Sequence, residues 1–360
     1  MKKYIALLLA GAMAFSAAAC GGTEAGETEA SAELNIYMQK DYISSDLIAA
    51  FEEENGCKVN FFYPESDTEA VEKLKAGCGE EYDLVMVKNT DMEYLIEEKC
   101  LEKIEMDNLP NTSTLNESCW MSKSYGIPYL MKYVYVVYDS AKCPVEITGY
   151  NSLLDPALKG QIASVDGVRD LFSIALVALG YSPNTTEESE LTKAHDWLVK
   201  FDENVAMYGG DVQQALIDGT VSVAITDDRS AAEGMAKKKT IKIAPFEENA
   251  VQTVVDMFVI PAKAQHMDLA KKFMNDICDP EVMAANLEEY PYACPNDVAL
   301  MLASEAYHAA PERDFDYKEK TFLVRMVEDA QEFYDNYDQE LCMSILRRVF
   351  SFNKRPQNNE

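Results

Sequence analysis

Short apolar runs alternate with amphipathic segments through the first third of the chain. The runs have the length of buried strands, and the segments carry apolar side chains at helical spacing. This pattern predicts strands at residues 34–38, 58–63 and 82–87, with helices at 45–55, 70–76 and 92–98 between and after them. Ser44 and Ser45 cap the first helix and Gly56 stops it. Strand–helix alternation is typical of a parallel sheet covered on both faces.

The middle of the chain repeats this alternation. We predict strands at 161–165, 221–225, 240–244 and 256–261, and helices at 171–180, 189–201, 211–218 and 230–238. From His266 onward the pattern is mostly helical, with breaks at Asp279-Pro280 and Tyr290-Pro291. Two α/β units in one chain predict two lobes with a cleft between them.

The carboxyl ends of the predicted strands carry polar residues. Ligands of open α/β sheets bind beyond such ends, which here are residues 38–42, 88–90, 165–167 and 226–228. Asp166 and Asp170 lie at one of them, beside a helix start. They could complement the helix dipole, or they could be half of a site for a cation.

The first residues have the features of a secretory signal. Lys2 and Lys3 precede an apolar run at 5–14, and small residues lead to Cys20. Cys20 resembles the lipidated cysteine of bacterial lipoproteins, although Ala17 replaces the usual leucine. We therefore predict a signal peptide at 1–19 and a lipidated cysteine with a flexible acidic tether at 20–32. The alternative is an ordinary signal peptide with a coincidental cysteine.

Composition narrows the class of protein. The formal net charge of −30 disfavours binding to nucleic acid or to anionic lipid and attracts cations. Eight cysteines follow Cys20 without metal-like C-x-x-C spacing. In an exported chain they could form disulfides or remain free thiols.

Signatures of catalysis are missing. The sequence has no G-x-S-x-G, H-E-x-x-H or P-loop motif, and its three histidines are isolated. Asp227-Asp228 fits a helix cap and a loop better than a metal site. We predict a protein that is not an enzyme and that needs no metal or cofactor.

Several segments together resemble the spermidine/putrescine-binding proteins of bacterial ABC importers, over nearly the whole mature length. The matching segments, in order, are Asp41-Tyr42-Ile43, Tyr82-Asp83-Leu84-Val85, Gly126-Ile127-Pro128-Tyr129, Arg169-Asp170-Leu171-Phe172, Ala178-Leu179-Gly180-Tyr181-Ser182, Asn184-Thr185-Thr186, Asp256, Ile260-Pro261-Ala262-Lys263-Ala264 and Pro295-Asn296.

The resemblance implies an α/β fold of the periplasmic-binding-protein type II kind, with two lobes joined by two crossover strands. We expect the N-terminal lobe at 33–138 and 257–320, the C-terminal lobe at 139–256, and a helical C-terminal tail at 321–360.

The resemblance also implies a polyamine held in the cleft. Carboxylates would hold its ammonium groups and aromatic rings would cover its methylene groups. Tyr42 matches a ring of the family site, Asp170 an acid before a helix, and Asp256 the acid on the second crossover strand. Asp166 would be either a cap or a displaced partner.

The family's aromatic residues are largely replaced here. Family tryptophans read Gln39, Thr226 and Val254, while Tyr129, Tyr133 and Tyr292 are possible substitutes. The predicted ligand contacts are Gln39, Lys40, Tyr42, Lys88, Asp166, Asp170, Thr226, Asp227, Asp256 and Tyr292.

Two of these contacts, Lys40 and Lys88, oppose a simple dication because like charges repel. They could form a solvated rim or pair with Asp227 or Asp228. Alternatively, they could hold the anionic group of a zwitterionic solute.

These observations predict a lipid-anchored solute receptor of an ABC importer, closing by hinge motion around a polyamine. Its partners would be a permease, an ATPase and, through the anchor, a membrane; a monomer is assumed. It would lie at the outer face of the cytoplasmic membrane or in the periplasm. A receptor for another, zwitterionic solute and a sensor or scaffold without a transport role are the alternatives.

Overall fold

A mixed sheet lies at the centre of the computed structural model, which describes residues 32–64, 67–245, 251–309, 321–323, 336–337 and 339. Its strands within these ranges are β1 (Ala32–Tyr37), β2 (Cys57–Phe62), β3 (Leu84–Lys88), β4 (Gly126–Asp139), β5 (Ile162–Ser164), β6 (Val205–Tyr208), β7 (Val223–Asp227), β8 (Ile241–Ile243), β9 (Val251–Val259) and β10 (Thr321–Leu323).

Helices cover the sheet. They are α1 (Ser45–Asn55), α2 (Asp67–Ala76), α3 (Met92–Glu97), α4 (Val168–Ala178), α5 (Glu188–Asp202), α6 (Val212–Asp218), α7 (Asp228–Lys237), α8 (Met267–Ile277), α9 (Pro280–Glu289), α10 (Asp297–Leu302) and α11 (Glu305–His308). None of the described helices combines the length and the apolar character that crossing a membrane requires.

Two groups of parallel strands flank an antiparallel centre. The strand order is β2-β1-β3-β9-β4-β7-β5-β6, with β10 beside β9 and β8 beside β4. Strands β1, β2 and β3 pair in parallel on one side, and β5, β6 and β7 on the other. Strands β4 and β9 run antiparallel between them, from Gly126 opposite Val259 to Val134 opposite Gln252. The predicted α/β class is confirmed.

Each side of the sheet has its own buried clusters. Leu34, Ile36 and Phe258 belong to a core beside β1, whereas Ile162, Leu171 and Val223 belong to one beside β5. Two smaller clusters cover the opposite faces. The two groups of cores fit a two-lobed architecture, and the exact lobe boundaries remain a prediction.

The cap signals of the first helix function as expected. The Ser44 hydroxyl accepts a hydrogen bond from the backbone N–H of Asp46 at 3.3 Å, and Gly56 ends α1 with φ of 60°. Helix α4 begins at Val168, three residues earlier than predicted, so that Asp170 lies within its first turn.

The first residues of the predicted helical tail differ from their prediction. Thr321–Leu323 forms β10, parallel to β9, instead of a helix. A strand is favoured there because β9 offers it backbone partners. Most of the predicted tail lies outside the described residues, as do the predicted signal peptide, Cys20 and nearly all of the tether.

Candidate functional site

A cavity of about 360 Å³ opens beside the central antiparallel strands. The residues that line it are Lys88, Lys132, Val134, Val165, Asp166, Asp170, Gly209, Gly210, Asp211, Val212, Gln213, Thr226, Asp227, Ser230 and Val254.

The topology explains why the cavity lies here. Strands β5 and β7 are parallel neighbours, so their carboxyl ends reach the same edge of the sheet. The residues that follow β5 and those that end β7 therefore line one wall together. Strands β4 and β9 contribute Lys132, Val134 and Val254, and β3 contributes Lys88 at its last position. This is the edge at which ligands of open α/β sheets bind.

Lys88 forms an ion pair with Asp170. Its Nζ lies 3.1 Å from Asp170 Oδ2, and the side chains are 14% and 4% exposed. Asp170 also accepts a hydrogen bond from Gln252, which itself accepts one from the Ser173 hydroxyl at 3.0 Å. The Asp170 carboxylate therefore lies in the first turn of α4, and Lys88 of the same chain supplies the cation that pairs with it.

Lys132 forms a second ion pair, with Asp256. Its Nζ lies 3.0 Å from Asp256 Oδ2 and donates a hydrogen bond to the Tyr42 hydroxyl at 2.8 Å. The same ammonium lies 5.4 Å from the centre of the Tyr42 ring. Burial, reinforced by the negative charge of Asp256, raises the pKa of Tyr42 well above its ordinary value, so Tyr42 is a neutral donor or acceptor.

Two further tyrosines extend this cluster. The rings of Tyr42 and Tyr292 are 4.8 Å apart, and the Arg229 guanidinium lies 5.0 Å from the Tyr292 ring centre and 5.7 Å from that of Tyr290. Burial raises the pKa of Tyr292, although Lys132 and Arg229 oppose this shift. The aromatic faces are therefore in contact with cations of the protein.

Acidic side chains line another part of the cavity. Asp227 accepts hydrogen bonds from the Ser230 backbone N–H at 2.9 Å and from its hydroxyl at 3.0 Å, and thereby caps α7. Asp211 accepts from the Gln214 N–H at 2.8 Å. Asp166 lies against Gly209, whose φ is 62°; a Cβ at that position would come 2.5 Å from Asp166 Oδ2.

The predicted contacts separate into two groups. Lys88, Asp166, Asp170, Thr226 and Asp227 line the cavity. Tyr42, Asp256 and Tyr292 belong instead to the cluster behind Lys132, and neither Gln39 nor Lys40 is among the lining residues. Their contact with a solute stays a prediction. Lys88 was expected to lie at a solvated rim or to pair with Asp227 or Asp228, but it pairs with Asp170. Asp228 accepts a hydrogen bond from the backbone N–H of Tyr133 at 3.2 Å.

Sequence reasoning missed Lys132 and Arg229. A signal for Lys132 was present, because it is a charged residue inside a long apolar run and such residues require a partner when buried. Arg229 follows a predicted cap and carries no comparable signal. Within the described ranges, no group of three His, Cys, Asp or Glu side chains could hold a metal ion.

Comparison with known proteins gives consistent matches. The family model of bacterial extracellular solute-binding proteins matches residues 46–314. The spermidine/putrescine-binding periplasmic protein of Escherichia coli K12 is 30% identical over 312 residues, which cover 84% of this chain and 88% of that protein. The putrescine-binding periplasmic protein SpuD of Pseudomonas aeruginosa is 27% identical over 336 residues, with 86% and 88% covered.

Solved structures are similar over most of their length. A putative spermidine/putrescine ABC transporter from Listeria monocytogenes superposes with a TM-score of 0.74 at 28% identity, covering 87% of this chain and 99% of that one.

Proposed function

We propose that this chain, which belongs to the family of bacterial extracellular solute-binding proteins, binds a small aliphatic amine in its cavity and delivers it to an ABC importer. The family consists of solute-binding proteins of ABC transporters and not of enzymes, as the sequence predicted. The predicted type II fold of periplasmic binding proteins is confirmed as well.

The charge of the cavity carries the proposal. Four aspartates and two lysines line it. Lys88 is balanced by Asp170, which is one of the four, and Lys132 is balanced by the buried Asp256 behind it. The described lining residues therefore include more acidic than basic side chains, and this excess attracts a cation. Because the named relatives bind putrescine and spermidine, polyamines are the first amines to test.

Transport and location complete the proposal. A permease and an ATPase would take the solute from the closed protein, and a lipid on Cys20 would hold the protein at the membrane surface. The segment that would carry the lipid precedes the described residues. Its composition, with a signal-like apolar run before Cys20, is the support for this part of the proposal.

Thermal unfolding with candidate solutes tests the binding role. A solute at about a hundred times its dissociation constant adds roughly 2.7 kcal/mol to the free energy of unfolding, which raises the midpoint by several degrees. We expect such a shift with at least one aliphatic amine. Asp166→Asn should reduce it, while Asp107→Asn, which removes an exposed acid elsewhere, should leave it unchanged. Equal midpoints with and without every amine would refute the proposal.

A further inference from the structure

We infer that the solute carries an anionic group in addition to its amine, and that Lys88 and Lys132 select for it. The inference rests on the proposed function and assigns the class of solute: an amino-acid-like zwitterion. Its carboxylate would approach the two lysines, and its ammonium would approach the side of the cavity that carries Asp166 and Asp227.

The burial of the two ion pairs supports this orientation. Lys88 and Lys132 are 14% and 15% exposed and both line the cavity. Asp256 is 1% exposed and does not line the cavity, and Asp170, which does line it, is only 4% exposed. At this wall the two ammonium groups are therefore more exposed to a solute than the carboxylates that pair with them.

The geometry of an ammonium suits an anion here. Each lysine Nζ carries three N–H donors, and charge-assisted hydrogen bonds to a carboxylate are stronger than neutral ones. Two such groups on neighbouring parts of one wall could share a carboxylate. A second ammonium of a diamine would meet the same groups as like charges, which disfavours binding.

The tyrosine cluster supports the same conclusion independently. A diamine's second ammonium needs a ring face or a carboxylate to replace its water. The Tyr42 face already contacts Lys132, and the Tyr292 face already contacts Arg229. The chain's own cations thus occupy the positions at which tyrosine faces would hold a second ammonium.

Calorimetric titration with matched probes tests the inference on the mature protein. Putrescine and γ-aminobutyrate share one amine and nearly the same length, but the second ammonium of putrescine is a carboxylate in γ-aminobutyrate. The second amino acid, δ-aminovalerate, has one methylene group more than γ-aminobutyrate and covers the case in which the cavity accommodates a longer solute better. We expect one of the two amino acids to bind at least about tenfold more tightly than putrescine.

Substitution of the lysines should invert this preference. In Lys88→Met/Lys132→Met, Asp170 and Asp256 lose their cations, so putrescine should gain at least about tenfold in affinity and the amino acids should lose as much. Lys103→Met is the matched control, because it removes the same charge from an exposed lysine that does not line the cavity. We expect it to retain the original preference.

The outcomes separate this inference from the proposed function. Putrescine binding at least as tightly as both amino acids to the unmodified protein would overturn the inference and leave the amine receptor intact. This comparison decides the matter even if the double variant fails to fold. Binding of glutarate, a diacid without an amine, in the absence of binding by any amine would overturn both.

Discussion

Lys132 and Asp256 are diagonal neighbours on one face of the antiparallel pair β4 and β9. Lys132 lies opposite Val254 and Asp256 lies opposite Leu130, so their side chains project from the same face two residues apart in register. The register brings Nζ to 3.0 Å from the carboxylate. An acid that the sequence predicted to hold a solute's ammonium is therefore paired within the sheet itself.

Removal of Lys132 should destabilise the protein. Lys132→Met removes the cation that pairs with Asp256, which is 1% exposed, and loss of one partner of a buried pair costs about 3 kcal/mol in the free energy of unfolding. The double variant Lys132→Met/Asp256→Asn should recover at least about 1 kcal/mol, because it leaves no unpaired charge. Urea unfolding of both variants measures this coupling.

The exposed pair of Lys123 and Glu117 provides the control. Its side chains are 56% and 80% exposed, so Lys123→Met should cost less than about 1 kcal/mol. If Lys132→Met and Lys123→Met lowered the free energy of unfolding equally, burial of the Lys132–Asp256 pair would not make it more important for stability.

Substitution of Gly209 should weaken solute binding through Asp166. Gly209 and Gly160 have similar left-handed φ values of 62° and 66°, so alanine at either site costs about 1 kcal/mol of stability. A Cβ added at Gly209 would meet Asp166, whereas a Cβ added at Gly160 would have no side chain or distant backbone atom within 4 Å. We expect the affinity for an amine to fall at least about tenfold in Gly209→Ala alone. Calorimetric titration of both variants measures this, and equal affinities would argue against a role of Asp166 in binding.

The ion pair of Asp139 and Lys238 should help the protein to remain folded as the pH falls. Burial alone would raise the pKa of Asp139, but Lys238 at 2.9 Å and the Ala141 N–H at 3.1 Å outweigh it and lower the pKa. A carboxyl with a lowered pKa stabilises the folded state above its unfolded-state pKa. That contribution is lost as the pH falls through the folded-state value.

Lys238→Met should therefore move acid unfolding to a higher pH. Far-UV circular dichroism followed from about pH 6 to about pH 2 measures the midpoint. Lys237→Met is the neighbouring control, since Lys237 is exposed and pairs only loosely with Glu233 at 3.9 Å. An unchanged midpoint in Lys238→Met would contradict the assigned cause.

Buried thiols should resist alkylation in the folded protein. Among the described residues seven cysteines are free thiols, and Cys342 lies outside them. Burial raises the pKa of Cys294 to about 12 and raises that of Cys278 further above its ordinary range. The reactive thiolate of Cys294 is then only about one part in ten thousand at pH 8.

Mass spectrometry of iodoacetamide-treated protein should find half-buried Cys100 and Cys143 labelled first. Cys278 and Cys294 should react at least about a thousandfold faster after unfolding in urea, where their pKa values return to about 8.5. Comparable rates for Cys278 in folded and unfolded protein would contradict its burial.

The sequence anticipated the elements that have local signals. Strands β1 to β3 are short apolar runs, and Ser44 and Gly56 mark the ends of α1 by their own hydrogen bonding and backbone freedom. Strand β4 is mostly apolar, but Pro128 and Lys132 interrupt its run and it was not predicted. Strand β9 begins at Val251, five residues before the predicted start at 256, because the polar Gln252 and Thr253 interrupt its apolar run.

The sequence by itself determined the α/β class, the family and the acids near the cleft, because strand and helix periodicity and the family's motifs are local patterns. Only the tertiary structure decided which charges meet. Lys88 and Asp170 are 82 positions apart, and Lys132 and Tyr42 are 90 apart. Sheet register and chain crossover set these distances, and a linear pattern does not contain them. The character of the wall that a solute meets, ammonium or carboxylate, depends on those pairings.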